Sequence, residues 1–483
     1  MRNGSTLLAV AWLAVAAVVP AQAGTNAIDS AFGSGGFVAL EPAPSTNYVF
    51  SLRSLAIDSD GSILIGGRVT NPSEPGAGAT LAAVGKLHGD GSCDQTFGDH
   101  GVYVLPYDVA SAPNGGEIHN IVLLSDHSIV AAGGAYAGFG GGDFVTCTLM
   151  LKLTALGALD TAFAPDHSGS LCFDFAANTN DYGWPFHNEG FVAGGDDSFY
   201  LTTPYTNLSH GAVAHFDSGG VLIGTYGANG IASLPEAVVA TRLQLTGENQ
   251  ILAIGANISA WSIAVVRLDD TGQIDEAYGS GGVLAFDAQP GGLVSLSQAL
   301  LDAQQRLVIA DNDDENGVGF VPYRFARITP DGSLDESFND SGQQPGIPGF
   351  ATPVLGATNY FNALQQALPL VDGHILGVGD AGYVADGDGE SNLVLIRLAA
   401  DASFDASFGD TSHPGWSSLN IGGGANGFTR ALATASDASG HVFIAIGAGD
   451  GNLHGCAGIL RLIPDRLFDD HFDAPPSIPS CPQ

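Results

Sequence analysis

Residues 267–284 read RLDDTGQIDEAYGSGGVL, and residues 327–338 read RITPDGSLDESF. Aligned on their first residue, they share a basic side chain, an Asp eight places on and an aromatic three places after that. The frame recurs along the chain. Its acid-to-aromatic half reads Ile28-Asp29 to Phe32-Gly33, Cys93-Asp94 to Phe97-Gly98, Leu159-Asp160 to Phe163-Ala164, Ile274-Asp275 to Tyr278-Gly279, Leu334-Asp335 to Phe338-Asn339, Phe404-Asp405 to Phe408-Gly409, and Phe468-Asp469 to Phe472-Asp473. In a degenerate copy Ile223 takes the Asp place before Tyr226-Gly227. Successive copies lie 65, 66, 63, 52, 60, 70 and 64 residues apart. Intervals of nearly constant length are the signature of a repeat architecture.

Each interval holds four apolar runs of strand length. In the first they are Phe37–Leu40, Leu52–Ile57, Ile63–Ile65 and Leu81–Leu87. Turn pairs such as Asp60-Gly61, Asp372-Gly373 and Ser439-Gly440 separate the second run from the third. No stretch sustains a helical apolar period. Four antiparallel strands repeated seven times predict an all-β, seven-bladed β-propeller over residues 24–473, with 474–483 as a Pro-rich extension. A closed ring also removes long exposed sheet edges. An open β-solenoid fits less well, because its coils are much shorter than these units.

The bases form a column: Lys86, Lys152, His215, Arg267, Arg327, Arg397 and Arg461, each eight residues before an anchor position. The weakest base, His215, goes with the anchor that lacks its acid, Ile223. Base and acid are degraded together, as expected of an intrablade ion pair across the turn that leads to the next unit. Seven copies suit a structural role, since catalysis needs one set of residues. The anchor aromatics are expected to pack between blades, and the Gly that usually follows permits a positive φ. The interval around Ile223 is expected to be irregular. The eighth copy, Phe468 to Phe472, is expected to close the ring.

The series of copies at about 27–473 resembles the delta-60 repeat of exported bacterial proteins. That resemblance implies a β-propeller-like repeat and export. It implies no activity and brings no catalytic residues.

The chain has 483 residues, with 14 Lys+Arg against 50 Asp+Glu and a net charge of −36. With 13 % charged and 45 % hydrophobic residues it is built to fold. The acidic balance excludes nucleic acid and anionic membrane as partners. Residues 1–23 read as an export leader: Arg2, the apolar run Leu7–Pro20, and Ala21-Gln22-Ala23 before Gly24. The run is shorter than the roughly 20 apolar residues of a membrane span, and no other stretch is a candidate. A secreted or periplasmic monomer is expected. Export permits disulfides, and the sequence-near pairings are Cys147–Cys172 and Cys456–Cys481, leaving Cys93.

In a meander, the first-to-second and third-to-fourth loops share one face, and variable loops on a rigid frame are where binding resides. The third-to-fourth loops are acidic. Asp311-x-Asp313-x-Glu315 and Asp386-x-Asp388-x-Glu390 alternate as oxygen ligands for Ca²⁺ do, although neither is an EF-hand loop. The first-to-second loops carry Asn beside aromatics, including Tyr360 and Phe428. The segment Asp181-Tyr182-Gly183-Trp184-Pro185-Phe186-His187 is the most unusual, and Asp181, Tyr182, Trp184 and Phe186 are the leading contact candidates. Tyr and Trp there can stack on sugar rings or anchor a protein. No H-E-x-x-H, G-x-S-x-G or P-loop occurs. Gly377 to Gly382 matches G-x-G-x-x-G, but no helix follows it. The favoured function is an exported, non-catalytic propeller that binds a glycan or protein, with Ca²⁺ as candidate cofactor. The alternative is an extracellular hydrolase or lyase with acidic loop residues at the channel.

Overall fold

The computed structural model describes residues 28–40, 49–70, 80–106, 109, 115–137, 144–173, 190–206, 210–260, 262–286, 294–313, 323–355, 360–383, 390–410, 413–419, 428–449 and 455–463. Among the described residues there is no α-helix, and the strands form seven four-stranded antiparallel blades. From innermost to outermost strand, blade 1 is Val49–Ile57, Ile63–Thr70, Thr80–Leu87 and Val102–Val104. Blade 2 is Gly116–Leu123, Ile129–Ala137, Phe144–Leu153 and Ser170–Phe173. Blade 3 is Phe191–Ala193, Phe199–Thr206, His210–Phe216 and Ile231–Ser233. Blade 4 is Val238–Leu245, Ile251–Asn257, Ser262–Leu268 and Val283–Phe286. Blade 5 is Val294–Leu301, Leu307–Asp313, Tyr323–Ile328 and Phe350–Ala351, with Gly346–Ile347 added outside. Blade 6 is Tyr360–Pro369, Ile375–Tyr383, Glu390–Leu398 and Trp416–Leu419. Blade 7 is Phe428–Ser436, Val442–Gly449, Gly455–Leu462 and Phe37–Leu40. Each innermost strand touches the next all the way round, including blade 7 back to blade 1.

The expected grouping of four runs per interval is off by one strand. A blade starts at the second run of one interval and ends at the first run of the next. The anchor turn therefore joins the third and fourth strands inside a blade. The reason lies in the backbone: the Asp94 N–H donates to the Lys86 carbonyl (3.1 Å) and the Lys86 N–H to the Gly101 carbonyl (3.0 Å). The chain doubles back onto the strand it has just left. The first copy consequently belongs to the last blade, where Phe37–Leu40 pairs with Leu460 to Ala457. Ring closure thus falls to the first copy, and the eighth copy lies outside the described residues. The blade that contains Ile223 is regular, with all four strands in place.

Among the described residues the core has an apolar cluster at each of the seven junctions between neighbouring blades, with a smaller one of Val69, Leu81 and Ala83 in blade 1. Strand periodicity explains this. Ile63 and Ile65 face blade 7, while Leu64 between them faces blade 2. Both sheet faces are covered, so the strands read as continuous apolar runs instead of alternating with polar residues.

The anchor motif locks each junction. The anchor aromatics Phe32, Phe97, Phe163, Tyr226, Tyr278, Phe338 and Phe408 are all buried, as inter-blade packing requires. The residue after each one adopts positive φ, including Ala164 (71°) and Asn339 (60°) where Gly is absent. That conformation aims its N–H at the next blade: Gly33 to Asp90 O, Gly98 to Leu156 O, Gly227 to Thr271 O and Gly279 to Asp331 O, all 2.7–3.0 Å. The bases follow the same path. Arg267 pairs with Asp275 (2.8 Å), lies 4.8 Å from the Tyr278 ring centre, and donates to Pro330 O of blade 5 (2.8 Å). Arg327 holds Asp335 (2.7 Å) and Ala400 O of blade 6 (2.7 Å). Lys152 lies 3.5 Å from Asp160 and 3.1 Å from Ser218 O of blade 3. Arg397, fully buried, bridges Asp405 (2.9 Å) and Asp372 (2.6 Å). In blade 1 no such pair forms among the described residues, and Asp94 accepts from the Thr96 hydroxyl instead (2.6 Å).

Arg461 corrects one expected pair. Its partner is Asp29 (Nε to Oδ2, 2.8 Å), because the first copy supplies the anchor turn of blade 7, and Asp469 lies outside the described residues. Arg461 also donates to Gly89 O of blade 1. The disulfide Cys147–Cys172 ties the third and fourth strands of blade 2 as expected, and Cys93 is free and exposed. Cys481 lies outside the described residues.

Two measurements check this scaffold. Asp29→Asn should lower the melting temperature more than Asp469→Asn, because it leaves Arg461 without its carboxylate at the seam, a loss of about 1–3 kcal/mol. Equal shifts would assign closure to the eighth copy. Gly332 has φ +84°, and a Cβ there would lie 2.5 Å from the Gly279 nitrogen and 2.9 Å from the Tyr278 ring, whereas Gly373 (φ +85°) has nothing within 4 Å. Gly332→Ala should therefore destabilise clearly more than Gly373→Ala, by about 1 kcal/mol or more beyond the shared backbone strain.

Candidate functional site

The meander puts the inter-blade connections and the second-to-third-strand loops on one face, so the expected first-to-second loops join neighbouring blades. Asp181, Tyr182, Trp184, Phe186, Glu315, Asp386 and Asp388 lie outside the described residues. Tyr360 and Phe428 are the first residues of the innermost strands of blades 6 and 7. Asp313 ends a second strand and Glu390 begins a third. Asp311 is not a loop residue. It sits in the second strand of blade 5, buried, and pairs with Arg324, whose guanidinium lies 5.9 Å from the Phe350 ring centre. Its carboxylate is engaged by a cation, so the first proposed Ca²⁺ set does not have it free. Asp380 lies in the second strand of blade 6. Among the described residues no three His, Cys, Asp or Glu side chains form a group able to hold a metal.

The structure instead draws attention to the innermost strands. Six of the seven carry a β-bulge at one level, leaving Arg53, His119, Thr241, Ser297, Gln365 and Leu432 as the extra residue. A bulge bends the strand and re-aims side chains. It also crowds the partner strand, and in blades 1, 2, 4 and 6 Gly stands opposite. A Cβ on Gly133 would lie 1.9 Å from Glu117 O, and one on Gly67 2.0 Å from Ser51 O. Polar contacts gather at this level. Arg242 donates to the bulge carbonyl of Ser297 (3.2 Å), Gln298 to Gln366 (2.7 Å), and Thr434 to Gln366 (3.3 Å).

Between blades 1 and 2, on the loop-face half, the bulges bring five functional side chains together. Glu117 is buried. Its Oε1 lies 2.7 Å from His119 Nε2, and its Oε2 lies 3.6 Å from Arg53 Nε and 3.5 Å from Arg68 Nη1. Burial opposes its ionisation, but His119, Arg53 and Arg68 outweigh that and hold the carboxyl at about 2. Tyr136, buried beside Arg68 and Glu117, has its hydroxyl pKa pushed well up by burial. None of these five residues was singled out by sequence reading. The available signal was a polar pair interrupting five of the apolar innermost runs: Arg53-Ser54, His119-Asn120, Thr241-Arg242, Ser297-Gln298 and Gln365-Gln366.

Between blades 6 and 7 a second carboxyl is treated in the opposite way. Asp380 Oδ1 accepts the Ala431 N–H (3.0 Å), and the buried Tyr323 hydroxyl donates to the Asp380 carbonyl (2.7 Å). Burial raises its pKa to about 6, only partly offset by the Ala431 N–H, Arg430 and Gln365.

A family model described as a domain of unknown function (DUF5122) beta-propeller matches residues 319–338 and 372–408. No curated protein matches the sequence. Among solved structures the chain is similar to the polysaccharide lyase Uly1 (9 % identity, 88 % of this chain and 94 % of that one, TM-score 0.42). It is also similar to the PQQ-bound aldose sugar dehydrogenase from Streptomyces coelicolor (11 %, 88 % and 98 %, TM-score 0.37) and to a family 43 glycoside hydrolase, the YxiA protein from Bacillus licheniformis (12 %, 57 % and 71 %, TM-score 0.28). These proteins are named for three different activities, and none is transferred to this chain. No described helix is long and apolar enough to cross a membrane.

The raised Asp380 pKa sets a pH dependence. Its folded-state pKa of about 6 exceeds the ordinary aspartate value of 3.8, so the folded state binds the proton more tightly. That stability is fully present below the lower value and is lost as pH rises through about 6. Asp380→Asn should stabilise the protein by roughly 1–3 kcal/mol at pH 7–8 and by almost nothing near pH 4. Chemical denaturation at the two pH values checks this; a gain independent of pH would refute the assignment.

Proposed function

We propose that the chain is a ligand-binding propeller whose ligand is taken at the loop-face mouth between blades 1 and 2. One observation carries the reading. Five of the seven repeated bases, Lys152, Arg267, Arg327, Arg397 and Arg461, are occupied by blade ion pairs, whereas Arg53 and Arg68 converge on Glu117 at ion-pair distance, with about a third of each guanidinium side chain still exposed (34 % and 28 %). Charged groups held ready at a rim, on strands rather than loops, make a preorganised recognition site. Action outside the cytoplasm belongs to the same proposal. The leader-like residues 1–23 and the Cys147–Cys172 disulfide support it.

The test is an array of oligosaccharides and peptides probed with the folded protein and with Arg53→Gln. At least one ligand class should be retained by the parent protein and lost by the variant at unchanged melting temperature. Retention by both would move the site elsewhere, and turnover of a bound oligosaccharide would replace binding by catalysis.

A further inference from the structure

In the blade 1–2 group, Arg53 Nε, the Tyr136 hydroxyl oxygen and Glu117 Oε2 are buried and make no hydrogen bond. Such atoms are costly to bury unless something outside the chain satisfies them. They demand different chemistry. Arg53 Nε offers a proton and needs an acceptor. Glu117 Oε2, ionised because its carboxyl titrates at about 2, needs a donor. The tyrosyl hydroxyl can serve either way. The separations of 3.5 and 3.6 Å from Glu117 to the two guanidiniums give charge attraction without hydrogen bonding.

Charge narrows the ligand further. Two guanidiniums face one carboxylate, which leaves positive charge in a chain of net −36. A neutral sugar would supply hydroxyl donors and acceptors but leave that charge unanswered. A sulfate ion would answer the charge but offer Glu117 no proton.

We propose that this group, if the mouth is the ligand site argued above, binds a uronate residue of an acidic polysaccharide. The sugar carboxylate accepts from Arg53 and Arg68, in the planar geometry that guanidinium favours. A hydroxyl of the same ring donates to Glu117 Oε2 and accepts from Tyr136. Glu117 then acts as a positioning residue as well. It holds the two arginines together in the empty site and reads the ring hydroxyl in the filled one.

Calorimetric titration of the full chain with an oligogalacturonate and with its carboxyl-reduced counterpart tests the assignment. The uronate should bind at least about tenfold more tightly, a difference of about 1.4 kcal/mol, and added salt should weaken it. Arg68→Gln should lose at least about tenfold in affinity with an unchanged melting temperature, Arg68→Lys should recover part of it, and Arg430→Gln should behave as the parent. Equal binding of the two sugars, still dependent on Arg68, would overturn the uronate assignment and leave the site standing. A uronate preference that survives Arg68→Gln and Arg53→Gln would overturn the site itself. Failure of the oligogalacturonate to bind would overturn the uronate assignment.

Discussion

The guanidinium of Arg461 makes a link on which the ring depends. One edge is held by Asp29 from the other end of the chain, a face lies 4.7 Å from the Phe32 ring centre, and the far side reaches the backbone of blade 1. The same clamp recurs at other junctions with partners close in sequence. An acid orients the base, the base covers an aromatic, and the base and the positive-φ residue both donate to the neighbouring blade. Ion pairs of this kind add little net stability after desolvation. Their contribution is geometric, because blades buried on both faces could otherwise slide over one another. The apolar clusters supply most of the driving force, and the clamps fix the angle at which each pair of clusters meets.

Blade 3 shows why base and acid are lost together. His215 has no carboxylate at position 223. It stacks on Tyr200 (3.9 Å between centres), meets Tyr226 edge-on (5.1 Å) and contacts Ser198 Oγ (2.8 Å). Burial lowers its pKa. A neutral imidazole in an aromatic stack needs no counter-ion, and an Asp opposite it would be a buried charge without a strong partner. The junction is therefore held by ring packing, and the sheet keeps all four strands.

Much of the fold was legible because its constraints are local and repeated. Asp29, Phe32 and Gly33 each do one job that few residue types can do, and each recurs. The blade phase was less legible. Run length alone does not tell whether a strand after the anchor turn goes forward to the next sheet or back onto the last one. That is decided by backbone bonds such as Lys86 to Gly101. The pairing of Arg461 was misread for the same reason: closure joins residues 432 positions apart, and a spacing of eight points to the wrong acid. The acidic loops drew attention because charge is conspicuous in sequence. One of those acids, Asp311, proves to be a strand residue with a partner inside the ring.

The site group was missed for a different physical reason. Its residues share no spacing. Arg53, Arg68, Glu117, His119 and Tyr136 come from four strands of two blades and meet only because two bulged strands lie side by side. A bulge places one extra residue in a strand, which breaks the alternation that makes strands readable. What remains visible is indirect: a polar pair inside an apolar run, and a Gly on the neighbouring strand where any side chain would strike a carbonyl oxygen. A propeller repeats its scaffold around the ring and can afford individuality only where the repeat is already interrupted. The bulge level meets that condition in six blades, and in blades 1 and 2 the interruption is filled with charge that the scaffold does not consume.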